Sequence, residues 1–406
     1  MTLFRPRRHI GTTLIALATT AALATAPEAA TCQNTANFDR WLDAFRKEAV
    51  EAGVTPKTIQ SALGGMTLDQ GIIARDRRQG FFAQSFLEFS DKLTRGRAES
   101  GRRKVEQHKA LFAAVEKTHG VPAPVITAFW ALESDFGSGM GNLPVLRSLA
   151  ALAYDCRRGE MFRGELLAAL KIIDRGDLKP ADMIGSWAGE LGQTQFLPSH
   201  YLKHAVDFDG DGRRDLLNSA PDVVASTAAF IESLGWERGQ PWFQEVRVPA
   251  SLAWDQADLA IQHPRSQWAK WGVTQADGKP LANDALPSSL LLPMGRNGPA
   301  FLAFPNFQVY LKWNQSLTYA TTAAYLATRI GGAPTMHRGK PGIVTLSGEQ
   351  MKELQIILAR QGYKVGEPDG KLGAGSRAAV KQAQLKLGLP ADSYPTPELL
   401  DRLRRR

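Results

Sequence analysis

The sequence predicts a mainly α protein of the α+β class: a helical main body interrupted by a small β-rich insertion, followed by a small three-helix C-terminal domain. Three observations predict it. Apolar residues recur at helical spacing from residue 38 to about 232. After Trp236 that spacing gives way to short apolar runs punctuated by Pro and Gly. A Gly/Pro-rich stretch from Gly331-Gly332-Ala333-Pro334 to Pro341-Gly342 then sets off a last compact segment. With 406 residues, 44% of them apolar and 22% charged, the chain can build two or three domains around sizeable cores.

Taken in order, the N-terminus reads as an export signal over residues 1–31. Arg5, Arg7 and Arg8 precede a short apolar run at 10–23, and Ala24-Thr25-Ala26 has the small-x-small form of a cleavage site, with Ala30 as the alternative. The run is too short and too weakly apolar for a convincing membrane anchor, and an uncleaved anchor is the lesser reading. This places the chain in the periplasm. Cys32 and Cys156 are its two cysteines, and in an exported chain such a pair points to one disulfide. Two separate thiols are the alternative.

The main domain is read over 32–332. Phe38, Trp41, Leu42 and Phe45 share one helix face, and further helices are predicted over 105–118, 121–134, 146–154, 164–175 and 221–234. Pro122 stands near the start of one, and Ser219 caps the last. Strands are predicted over 245–249, 285–292 and 300–309, within an insertion spanning about 240–305, before one more helix at 307–330. Residues 333–342 form the linker and 343–406 the final domain. The net charge of +9 suits an anionic partner such as an acidic lipid or wall polymer. Nucleic acid has no support, because no zinc knuckle or aromatic RNA-binding signature is present. Part of the charge is solvated arginine, as in Arg404-Arg405-Arg406.

The chemistry centres on Trp130-Ala131-Leu132-Glu133-Ser134-Asp135-Phe136-Gly137. Glu133 ends an apolar helical run, and a carboxyl among Trp130, Leu132 and Phe136 loses solvation when charged, so its pKa rises toward that of a general acid working near neutrality. A helix end carrying an exposed Glu is the plain alternative. A second segment, Gly185-Ser186-Trp187-Ala188-Gly189-Glu190-Leu191-Gly192-Gln193-Thr194-Gln195-Phe196-Leu197-Pro198, alternates small residues with amides and aromatics. That mix suits sugar hydroxyls and ring faces. A third, Asp207-Phe208-Asp209-Gly210-Asp211-Gly212-Arg213, spaces carboxylates as the start of an EF-hand loop does, with Arg213 offering its carbonyl. Asn218 holds the position where that loop has its bidentate Glu, and a solvated acidic turn is the alternative.

Together with Phe304-Pro305-Asn306-Phe307 and Trp313-Asn314-Gln315-Ser316-Leu317-Thr318-Tyr319, these segments closely resemble lytic murein transglycosylases of the membrane-bound lytic transglycosylase B type, in the same order from residue 38 to 330. The resemblance implies a lysozyme-like helical core with Glu133 as the catalytic acid. It implies saccharide contacts from Ser186, Gln195, Asn314 and Tyr319, and a basic pair, Arg157 and Arg158, that meets the peptide stem. Phe230 and Trp313 stand where relatives have Tyr, keeping aromatic stacking without the hydroxyl, and Glu190 stands where a small residue is common. The resemblance also implies a longer calcium loop closed by Asp222. The expected cation is thus a structural Ca²⁺ held by Asp207, Asp209, Asp211, Arg213 and Asp222, with no cofactor for catalysis.

The last segment, with Met351-Lys352-Glu353-Leu354, Asp369-Gly370-Lys371-Leu372-Gly373 and Ser376-Arg377-Ala378-Ala379-Val380, resembles the peptidoglycan-binding domain of wall hydrolases. That family usually has Thr at position 376 and Phe at Ala383. The implied partners are peptidoglycan glycan strands and other wall-remodelling proteins. Asp135 lies about 200° round the helix from Glu133, so the two carboxylates do not share a pocket. A single carboxyl would then protonate the glycosidic oxygen between N-acetylmuramic acid and N-acetylglucosamine and later accept the C6 hydroxyl proton, leaving a 1,6-anhydro ring. That product is implied by the resemblance. A muramidase using Glu190 or Asp135 as second carboxylate, and a non-catalytic wall-binding scaffold, are the alternatives.

Overall fold

A computed structural model describes residues 37–78 and 84–405. The export signal and Cys32 lie outside the described residues. The helices are α1 (Phe38–Glu51), α2 (Pro56–Leu63), α3 (Gln70–Arg77), α4 (Phe86–Thr94), α5 (Arg97–Gln107), α6 (Lys109–His119), α7 (Ala123–Ser134), α8 (Val145–Tyr154), α9 (Gly159–Arg175), α10 (Pro198–His204), α11 (Ala220–Ser233), α12 (Arg265–Lys270), α13 (Phe307–Trp313), α14 (Leu317–Ile330), α15 (Gly348–Arg360), α16 (Ala374–Lys386) and α17 (Pro397–Arg404). No helix among the described residues is long and apolar enough to cross a membrane.

The main core forms around α7. Val125, Ile126, Ala128, Phe129 and Ala131 are all fully buried, as expected of a helix that is apolar all round. α14 packs against it through a face that includes Ala320, Ala323, Ala324 and Ala327, all fully buried. These small side chains let the two helices approach closely. α1 is capped by Asn37 and covers the core with Phe38, Trp41, Leu42, Phe45 and Ala49.

Two short strands, β1 (Leu143–Pro144) and β2 (Ile184–Gly185), pair beside the end of α7. The insertion is an antiparallel sheet of β3 (Phe243–Arg247), β4 (His263–Pro264), β5 (Thr274–Gln275), β6 (Pro287–Leu291) and β7 (Ala300–Ala303), in the order β4-β6-β7-β3-β5. Its two faces serve two cores, as the period of two requires. Phe301, Ala303 and Leu291 join the main core. Ala300, Leu302 and Leu290 join a smaller one around Trp268 and Phe304.

Three expectations need correction. The helix predicted over 307–330 is two helices. Ser316 accepts the Tyr319 N–H as the cap of α14, and Asn314 accepts the Ser316 N–H at 2.9 Å, a local bond that competes with helix continuation. The helix predicted over 105–118 is likewise broken at His108, between α5 and α6. The 333–342 stretch, despite its composition, is laid against the main domain. Met336 is buried in the core, the His337 N–H donates to Glu245 at 2.7 Å, Arg338 pairs with Asp91 at 2.8 Å, and the Lys340 N–H meets Asn297 O at 2.7 Å. Side-chain partners hold what Gly and Pro alone would leave loose.

The three-helix domain of α15, α16 and α17 has its own core and is docked on the insertion. Arg377 donates to the carbonyls of Leu292 and Pro293, Lys381 pairs with Asp258 at 2.8 Å, and Asp392 accepts the Arg296 N–H at 2.9 Å. Burial presses the Arg377 pKa down to about 10, still fully charged at neutrality. A cleft of about 800 Å³ runs between this domain, α4 and the start of α14.

Candidate active site

Glu133 is presented by the way α7 ends. Asp135, Phe136 and Gly137 all adopt left-handed conformations, with φ of 52°, 61° and 91°, and turn the chain sharply. Ser134 anchors the turn: its Oγ accepts the Gly137 N–H at 2.8 Å and donates to the Gln193 carbonyl. Gln193 also accepts the Trp130 indole N–H at 2.7 Å and donates to Leu217 O at 2.8 Å. A Cβ on Gly137 would lie 2.8 Å from that glutamine side chain, so the turn and the amide fit only with glycine there. Gln193 lies inside the motif already quoted, but no sequence signal sets it apart from Gln195.

The Glu133 side chain keeps partial contact with solvent, yet protein surrounds its carboxyl closely. The group thus occupies a recess, enclosed by protein and partly open to solvent. Burial is the main force on it and pushes its pKa up to about 7. The Tyr319 hydroxyl and the Trp313 indole N–H, at 2.9 Å for the latter, both donate to Oε1 and oppose that rise, while the nearby Glu190 adds to it. The break between α13 and α14 brings both donors to the same oxygen. Neither donates to Oε2. Trp313 serves the carboxyl through its indole N–H. It is stacked on Phe129 with ring centroids 4.2 Å apart.

Asp135 turns away, as its position on the helix requires, and faces Arg97 at 3.3 Å. Glu190 does not turn away. Its Oε2 accepts the Ser186 hydroxyl at 2.9 Å, and Ser186 Oγ accepts the backbone N–H groups of Ala188 and Glu190. Ser186 and Glu190 thus form one closed loop of bonds beside the recess. Gln195 holds a left-handed φ of 49°. Its amide donates to Met140 O and Gly192 O, which aims its own carbonyl oxygen away from both. Asn314 sits at the helix break with its side-chain oxygen on Ser316.

Two expected contacts are placed differently. Phe230 is 7% exposed and backs Trp313 at 5.1 Å, packed between His200 and His204; it supports the platform and offers no open face. Arg157 and Arg158 converge on Asp76, whose side chain is buried. The two guanidinium groups hold the Asp76 carboxyl below its usual range against the effect of burial. This clamp fixes the end of α3 to the start of α9, and the arginines keep partly exposed edges. Asp76 stands far from any motif in sequence. Just before Arg157 in sequence, Cys156 is disulfide-bonded; Cys32, the other cysteine of the sequence, lies outside the described residues.

The acidic loop folds as its spacing implies. Carboxylate oxygens of Asp207, Asp209 and Asp211 all lie within 4.8 Å of one another. Backbone N–H groups of Gly210 and Gly212 donate to Asp207, and that of Arg213 to Asp211. Three converging carboxylates on a turn of this kind fit a hard cation with oxygen ligands. Asp222 is not part of that cluster. It is fully buried and takes the N–H groups of Phe208 and Asp215 at 2.8 Å each, so it staples the two ends of the loop. The Arg213 side chain reaches Asp177 O.

Residues 37–328 match the transglycosylase SLT domain, and residues 347–403 match a peptidoglycan-binding domain. Membrane-bound lytic murein transglycosylase B of Escherichia coli is 33% identical over 210 residues, which is 50% of this chain and 55% of that protein, so the chain spans about half the length of this relative. The crystal structure of SltB3 from Pseudomonas aeruginosa in complex with NAG-anhNAM-pentapeptide is similar over 91% of this chain and 100% of its own, at 42% identity and a TM-score of 0.85. Escherichia coli Slt35 in complex with calcium is similar over 71% of this chain and 92% of its own, at 27% identity and a TM-score of 0.60.

Proposed function

The chain belongs to the transglycosylase SLT domain family, and on that premise we propose that it is an exported lytic transglycosylase. It cleaves the β-1,4 bond between N-acetylmuramic acid and N-acetylglucosamine of peptidoglycan and closes a 1,6-anhydro ring on the muramoyl sugar. The observation that carries this reading is one protein-enclosed carboxyl, held by two neutral donors on one oxygen, whose pKa of about 7 leaves a large share of it protonated at neutral pH. Glu133 donates that proton to the glycosidic oxygen. Tyr319 and Trp313 then stabilise the carboxylate through Oε1, and Oε2 takes the proton of the C6 hydroxyl that attacks the anomeric carbon. Water is not consumed. Support comes from the anhydro-sugar ligand of the SltB3 relative and from Asp135, which is engaged with Arg97 and unavailable for water activation.

The C-terminal domain holds the glycan or its peptides, and its docking on the insertion fixes it to the domain that carries Glu133. Asp207, Asp209 and Asp211 hold a Ca²⁺ that orders the loop; Slt35 is a calcium-bound relative. The ion has no part in bond cleavage. Mass spectrometry of products from purified sacculi tests the reading. Muropeptides ending in 1,6-anhydro-N-acetylmuramic acid, absent with Glu133→Gln, are expected. Reducing muramic acid ends from the native enzyme would identify a muramidase instead.

A further inference from the structure

Glycosidases that recruit the substrate's own 2-acetamido group still face a charge problem. The five-membered oxazolinium ion formed at the anomeric carbon is a cation, and a site with one carboxyl cannot serve it while that carboxyl is occupied with the leaving oxygen. Among the described residues, the electrostatics of Glu133 name one other carboxylate near it, Glu190. Its side chain is partly open to solvent and its Oε2 is oriented by the Ser186 hydroxyl; burial raises its pKa, and the Ser186 hydroxyl and Arg158 oppose that rise. Oε1 has no such fixed donor.

We propose that Glu190 is a second functional carboxylate of this site: it accepts the N–H of the 2-acetamido group of the muramoyl sugar and supplies the counter-charge for the oxazolinium ion. This rests on the transglycosylase reading above. The acetamido oxygen bonds to C1 as the C1–O4 bond breaks, and the departing oxygen takes the proton of Glu133. Positive charge spreads over the new ring, with its N–H on Glu190. The C6 hydroxyl then attacks C1, the bond from C1 to the acetamido oxygen breaks, the neutral acetamide is restored, and the hydroxyl proton goes to Glu133. No external reactant enters, and Glu190 ends the cycle as it began. Ser186, with its proton given to Glu190, positions that carboxylate; its role follows from the bond it makes.

The two carboxyls are thereby divided in function by their surroundings. Glu133 has only neutral donors and holds its proton. Burial presses on both, but Glu190 alone has a guanidinium, that of Arg158, opposing it beside the Ser186 hydroxyl, and that nearby charge is what marks it as the anion of the pair.

The test uses the full-length enzyme on sacculi, with the native protein, Glu190→Gln and Ser186→Ala. Gln keeps an oxygen for the Ser186 hydroxyl, so the turn survives, but it carries no charge. A kcat loss of about 10²-fold in Glu190→Gln is expected, with KM changed less than about threefold and the melting temperature unchanged. The decisive probe is N-acetylglucosamine-thiazoline, a stable mimic of the bicyclic intermediate. It should inhibit the native enzyme and lose at least about tenfold in affinity with Glu190→Gln, a change that a merely structural role would not produce. Ser186→Ala should fall between the two. Activity of Glu190→Gln within about threefold of native, or equal thiazoline affinity, overturns the proposal. Native enzyme that yields only reducing ends, lost in Glu190→Gln, would instead overturn the transglycosylase reading and make Glu190 a base for water.

Discussion

Two acidic sites in this protein behave as opposites. At Glu133 the carboxyl is sunk among Trp313, Tyr319 and the end of α7, its two donors share one oxygen, and burial outweighs them, so the proton is held up to about pH 7. At Asp207, Asp209 and Asp211 the side chains are exposed or partly so, and backbone N–H groups of their own turn donate to them. There the charge is solvated and concentrated, ready for a cation. The same functional group becomes a proton donor in one place and a metal ligand in the other. Water access and the origin of the hydrogen-bond donors decide which.

The largest effect that sharpens this contrast is the loss of the buried proton. Glu133→Gln should lower kcat by about 10²–10⁴-fold while sacculus pelleting stays unchanged; turnover within tenfold of native would break the contrast at once. The same substitution should stabilise the fold. The folded pKa of Glu133, about 7, lies above its ordinary 4.5, so the native state binds the proton more tightly than the unfolded chain. Stability from this group is full below about pH 4.5 and is lost as the pH rises through 7. Glu133→Gln removes that loss, and denaturant unfolding at pH 8 should find it more stable than native by as much as about 3 kcal/mol. At pH 4 the two should agree.

The acidic loop should respond to metal where the recess does not. Saturating Ca²⁺ should raise the melting temperature over chelated protein, by about 2.7 kcal/mol of stability at a hundredfold excess over Kd. Asp209→Asn should abolish the response and leave the pH profile of the enzyme where it was. Equal melting curves with calcium and chelator, from protein stripped of metal, would show that the cluster is only a turn. The smallest expected effect is a shift of titration. Tyr319→Phe removes a donor that holds the Glu133 pKa down, so the alkaline limb of kcat/KM should move up by about one pH unit. A downward move would mean that Tyr319 does not serve the ionised form.

Much of this contrast was legible in the chain. The apolar run around Glu133 announced a desolvated carboxyl, and the i, i+2, i+4 aspartates with Gly210 announced the loop. The helical body, the insertion and the C-terminal three-helix unit were also readable, because each keeps its own periodicity. What was not legible depends on partners distant in sequence. The Trp313 indole meets Glu133 across 180 residues, and Asp76 meets Arg157 across 81; neither leaves a local pattern. Phe230 reads as a stacking face because aromatic type is visible and burial is not. Asp222 reads as a ligand, and its buried oxygens, which take the N–H groups of Phe208 and Asp215, lie outside the cluster of three. The stretch at 333–342 has the composition of a free tether, and only the positions of Met336, His337 and Arg338 in space contradict it.

That docked stretch bears on how a wall enzyme samples its polymer. A binding unit on a loose leash lets the attached body wander through a sphere whose radius grows with the leash, and every bond inside that sphere is a target at a low effective concentration. Here the sphere collapses to a single displacement. Arg377 sits on the carbonyls of Leu292 and Pro293, and Lys381 on Asp258. Wherever the small domain grips, the recess arrives at one fixed offset, so the pair works as a gauge with two jaws. On the proposed function, glycan that matches the gap would be met at high local concentration, and glycan that does not match only by chance.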